Sequence, residues 1–126
     1  MMRRVLATAF VGMAAFAGAA QANEGALAAK GREIALTHCA RCHVIDAGTK
    51  LGGIGSTPSF SLLLSLADAE HRFDTFFDRR PHPAFIRVEG VAPLTPLPPN
   101  AAEIQLTVDD LDALLVFVQS LKQQPD

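Results

Sequence analysis

Apolar residues recur at helical spacing near the end of the chain, from Leu111 through Leu114, Leu115 and Val118 to Leu121. This period gathers them on one face and predicts an amphipathic helix. Thr107 is its expected N-cap with Asp110 three residues on, and Asp109, Asp110 and Asp112 suit the positive end of the helix dipole. Gly25 to Arg41 predicts an earlier helix, with Leu27, Ile34 and Leu36 on its apolar side and no proline to interrupt it. Gly31 costs that helix about 1 kcal/mol relative to Ala, which points to a close helix–helix contact there. Between the two lie a Gly-rich loop, Gly48 to Gly55, then Pro58-Ser59-Phe60 and two short apolar segments. Phe60 to Ala67 carries four leucines, and Ala69 to Arg79 carries Phe73, Phe76 and Phe77 on one face, so both are expected to be helical. From Arg80 to Pro99 the prolines exclude regular helix and predict an extended strap.

The first residues have a different character. Arg3 and Arg4 precede 16 uncharged small and apolar residues, Val5 to Ala20, and Ala20-Gln21-Ala22 fits an A-x-A cleavage site. Residues 1–22 are therefore expected to be a cleaved export signal, the stretch being shorter than the roughly 20 residues a spanning helix needs, with retention as an uncleaved anchor the alternative. Residues 23–126 then form one small domain. Removing the signal takes away two of the 11 basic residues and no acidic ones, leaving 9 against 13, or −4 with His neutral. Such a mildly acidic protein has no basic excess to attract nucleic acid or anionic lipid. Its six remaining Phe, with no Tyr or Trp in the chain, suit packing against an apolar ring.

The chemistry is concentrated in Cys39-Ala40-Arg41-Cys42-His43, which holds both cysteines of the chain. C-x-x-C-H is the attachment signal of a c-type haem. Two thiols three positions apart reach the two vinyl groups of one porphyrin, and the next imidazole binds iron as a standard axial ligand. Cys39 and Cys42 are thus the expected covalent anchors and His43 the proximal ligand of a single haem c. A thioredoxin-like pair should sit beside a βαβ pattern, and a structural zinc site needs a second ligand pair; neither is found in the sequence.

With this motif at the end of the first helix, a proline-rich strap and a C-terminal amphipathic helix, the chain resembles a class I cytochrome c. The resemblance implies a small all-α cytochrome c fold in which the first and last helices cross and the covalent haem lies in the core. It implies that Gly31 packs against Phe117 at that crossing, and that the carbonyl of Pro58 holds the other ring nitrogen of His43. It also implies haem attachment outside the cytoplasm, which agrees with the export signal and a periplasmic location. The implied role is single-electron transfer with redox partner proteins, by a monomer that is not an enzyme.

One position departs from the family. Its members usually bind the sixth iron site through a Met of the strap, whereas Met1, Met2 and Met13 all lie in the signal. The strap offers Leu97-Pro98 or, in another alignment, Phe85 after Pro81-His82-Pro83, and neither Leu nor Phe donates to iron. His38 is too near Cys39 to reach the other face, and His71 falls on the polar side of its helix. His82 is fixed between two prolines in an extended backbone and is the candidate distal ligand. Alternatively the iron is five-coordinate beneath Leu97 or Phe85, and the protein binds or senses a diatomic ligand. A peroxidase is a weaker reading, because no acid–base pair beyond His82 is evident. Arg72, Arg79, Arg80 and Arg87 surround His82 in sequence, either to pair haem propionates or a partner's acids, or as a solvated face balanced by Asp68, Glu70, Asp74 and Asp78.

Overall fold

The computed structural model describes residues 11–96 and 102–124. Arg3 and Arg4, and the strap residues Leu97, Pro98 and Pro99, lie outside them. Among the described residues four helices run in the order α1 (Val11–His38), α2 (Phe60–Leu64), α3 (Ala69–Asp74) and α4 (Val108–Lys122), with two short strands, β1 (Ile86–Val88) and β2 (Ile104–Leu106), before the last. The molecule is mostly helical, and no helix among the described residues is long and apolar enough to cross a membrane.

The terminal helices form the frame. At their crossing α1 presents Gly31, where a Cβ would collide with the Ala113 carbonyl and come within 2.8 Å of Phe117 Cβ. Only a residue without a side chain lets the backbones approach this closely. Lys30 Nζ meets Asp110 Oδ1 at 2.8 Å beside the crossing. Thr107 caps α4 as expected: its hydroxyl accepts from the Asp110 N–H, and the Asp110 carboxylate accepts from the Thr107 N–H. These partners hold the Asp110 carboxyl down at about 2, the Lys30 ammonium contributing most. Ala35, Leu114, Phe117 and Val118 from the two helices join Ile45, Phe60, Ile86, Val88 and Leu106 in one core.

Several boundaries differ from those the pattern predicts. Helix α1 already includes the described residues ahead of Gly25, an Ala-rich stretch of high helix propensity with no proline. It ends at His38, and the chain continues in tight turns through the motif. Helix α2 stops at Leu64, where the Ser65 hydroxyl donates to the Leu62 carbonyl at 2.7 Å. The expected helix from Ala69 to Arg79 breaks at Thr75, whose hydroxyl bonds the His71 carbonyl, and resumes as a 3-10 turn, Phe76–Asp78. The strap is not wholly extended: His82–Ala84 forms another 3-10 turn, and β1 pairs in parallel with β2 in the register Ile86–Ile104, Arg87–Gln105 and Val88–Leu106. Three-residue strands separated by prolines leave too short a period-2 signal to read from sequence.

Candidate haem site

The end of α1 delivers the motif. Backbone bonds from Cys39 N and Ala40 N to the Ala35 carbonyl, and from Cys42 N and His43 N to the Cys39 carbonyl, wind the chain so that Cys39, Cys42 and His43 face one hollow. Cys39 and Cys42 are not joined to each other by a disulfide. Burial, aided by the neighbouring Cys42, pushes the Cys39 thiol up to about 11. That is opposite in direction to the lowered value of an exchange-active thiolate.

The loop after the motif folds back beneath His43. Thr49 Oγ1 accepts from Ile45 N and Asp46 N, and the Asp46 carboxylate is held to Arg32 of α1 at 2.7 Å. Gly53 adopts φ +79°, and a Cβ there would lie 3.0 Å from His43 C and Val44 N. A glycine is needed on both counts. Ile54 N then donates to the Cys42 carbonyl at 3.0 Å, which brings Pro58 under the imidazole. His43 Nδ1 and the Pro58 carbonyl are 2.7 Å apart. A carbonyl can only accept, so Nδ1 carries a proton, and in the neutral ring Nε2 is the nitrogen with the lone pair. The Phe60 ring packs edge-on against His43 at 5.6 Å.

The hollow has a volume of about 560 Å³, within the range of cofactor sites. Its walls are mostly apolar, among them Ile54, Leu63, Phe73 and, from α4, Leu114, Leu115 and Val118. Phe85 lines it too, beside His82, with ring centroids 6.1 Å apart. His82 projects into the hollow opposite His43, the two rings 6.0 Å apart with planes inclined by 21°. Two imidazoles sharing one metal ion have ring centres about 6 Å apart, since each bond is about 2 Å and the centre lies about 1 Å beyond the nitrogen. Burial is the largest cause that lowers the His82 pKa. His82 Nδ1 is buried without a hydrogen-bond partner. Paired thiols, an oriented imidazole, an apolar hollow and a second imidazole across it fit a porphyrin bonded to the chain.

The remaining candidates separate. His38 is exposed at the mouth of the hollow, and His71 is exposed outside it. Arg72 pairs with Asp68 at 2.8 Å, which lowers the Asp68 carboxyl, while Arg79 donates to the Thr75 hydroxyl; both line the hollow with Arg80. Arg87 lies behind the hollow and pairs with Glu103. The four arginines therefore do not form one patch. Gly53 and the Arg32–Asp46 tie escaped sequence reading. The only signal was the density of glycine between Gly48 and Gly55.

Comparison with curated proteins and with solved structures gives no match. The family model described as cytochrome c matches residues 28–122, from the last turns of α1 to the end of α4, and so takes in every residue that lines the hollow. The chain belongs to the cytochrome c family, a haem-binding c-type cytochrome.

Proposed function

We propose that this chain is an exported mono-haem cytochrome that carries single electrons between redox partner proteins, with residues 1–22 as its signal and residues 23–126 as one monomeric periplasmic domain. Bound haem supplies a one-electron couple at iron. Cys39 and Cys42 each offer a thiol to one vinyl group, so the porphyrin is tethered at two points. His43 presents Nε2 as proximal ligand, its ring held by the bond from Nδ1 to the Pro58 carbonyl. His82 presents the distal imidazole, with Phe76 and Phe85 edge-on beside it excluding water.

The reading rests on one observation, the 6.0 Å separation and near-parallel planes of the His43 and His82 rings. Iron held by both imidazoles would exchange electrons without admitting ligands, and His82 in place of a Met would set a lower potential. The test is a potentiometric titration together with carbon monoxide mixing. A reversible one-electron couple and slow carbon monoxide binding to the reduced protein are expected. Immediate carbon monoxide binding favours the five-coordinate, diatomic-binding alternative instead.

A further inference from the structure

Two side chains outside the hollow converge on one carbonyl next to His82. Pro83 O accepts from Arg87 Nη1 at 2.8 Å and from Thr95 Oγ1 at 2.7 Å. The same guanidinium donates to the carbonyls of Ile86 at 3.0 Å and Thr95 at 3.2 Å, and its Nε meets Glu103 Oε1 at 3.1 Å. Arg87 thus joins the His82 turn, β1, the strap and the start of β2. Its side chain is only 15 % exposed. A planar fork with five donors can serve three carbonyls and a carboxylate at once, which an ammonium on a flexible stem cannot do.

None of Pro83, Arg87, Thr95 and Glu103 lines the hollow. They reach it through the backbone. His82 N donates to the Arg79 carbonyl at 2.9 Å on one side, and buried Pro83 is pinned by the clamp on the other. The segment carrying the imidazole is therefore fixed at both ends.

We propose that the Arg87–Thr95 clamp on the Pro83 carbonyl is a positioning device that keeps His82 on the iron against exogenous ligands. The proposal rests on the reading of His82 as distal ligand. A ligand on a rigid segment that lets go of the metal stays in place and rebinds before a competitor enters. A ligand on a loosened segment swings away. Neither Arg87 nor Thr95 touches the cofactor in this account; each acts through the backbone of His82.

The test is the rate at which carbon monoxide binds the reduced, haem-loaded protein in Thr95→Val, Thr95→Ser, Arg87→Met and His82→Ala, with melting temperatures measured alongside. Thr95→Val keeps the side-chain shape and removes one hydrogen bond, so binding should be about fivefold faster. Thr95→Ser restores the hydroxyl and should return the wild-type rate. Arg87→Met, if it folds, should exceed Thr95→Val, at roughly tenfold or more. A lower melting temperature with an unchanged rate in Thr95→Val makes the clamp a merely structural brace and overturns the proposal. Fast binding in His82→Ala beside a wild-type rate in Thr95→Val overturns the clamp alone. An unchanged rate in His82→Ala overturns the reading of His82 and the clamp together.

Discussion

The carbonyl of Pro58 stands 2.7 Å from Nδ1 of His43, so a backbone atom 15 residues after the imidazole decides which of its nitrogens faces the hollow. The pyrrolidine ring contributes only by stiffening the chain that carries this carbonyl. Pro58→Ala keeps the carbonyl and should cost about 0.4–1 kcal/mol, through the greater freedom of the unfolded chain. Its visible spectrum and potential should match those of the wild type. Denaturant melts and a redox titration check this, and a displaced potential contradicts the assignment of the effect to the carbonyl.

At the α1–α4 crossing, Gly31→Ala drives a methyl group into the Ala113 carbonyl and Phe117. Because one obstacle is backbone, relief requires the helices to separate, and overpacking of this kind costs about 1–3 kcal/mol or more. Gly25→Ala is the control, since a Cβ there meets nothing within 4 Å, and it should change stability by less than about 1 kcal/mol. Equal effects of the two substitutions on the melting temperature contradict the packing argument.

Asp110 gives a pH dependence whose sign follows from its carboxyl being held at about 2 by Lys30 and the Thr107 N–H. The folded value lies below the unfolded one of about 3.9, so its contribution is complete above that unfolded value. It is lost as the pH falls from about 4 toward 2. Asp110→Ala should cost about 1 kcal/mol at neutral pH, mostly as a lost cap, because half-exposed ion pairs contribute little. Urea melts of both proteins should converge near pH 2, and a constant gap between pH 6 and pH 2 contradicts the assignment.

Removing one thiol tests the attachment itself. Cys39→Ala and Cys42→Ala should each leave a haem held by a single thioether, with one vinyl group still conjugated to the ring. The alkaline pyridine haemochrome band should move to longer wavelength in each variant, and the double variant should release its haem to acid acetone. Retention of haem by the double variant through that extraction contradicts attachment by these cysteines.

Much of this architecture was legible because it depends on local signals. The motif carries its own chemistry, the α4 face is written in the spacing of Leu111 to Leu121, and Thr107 with Asp110 marks the helix start. Gly31 signalled a close contact by being costly where it stands, and the family resemblance supplied Phe117 as its partner. What escaped depends on residues distant in sequence. The Arg87 contacts with Thr95 and Glu103 form only once β1 and β2 pair across the strap, and no periodicity encodes such pairing. Arg87, near Arg72, Arg79 and Arg80 in sequence, does not line the hollow as they do, because sequence proximity does not say on which side of a turn a side chain emerges. The break at Thr75 turned on a single hydroxyl finding the His71 carbonyl.

Whether His43 and His82 share one iron is decided by electron paramagnetic resonance of the ferric, haem-loaded protein, wild type beside His82→Ala. A low-spin signal in the wild type that becomes high-spin in the variant is expected; a high-spin signal in both contradicts ligation by His82.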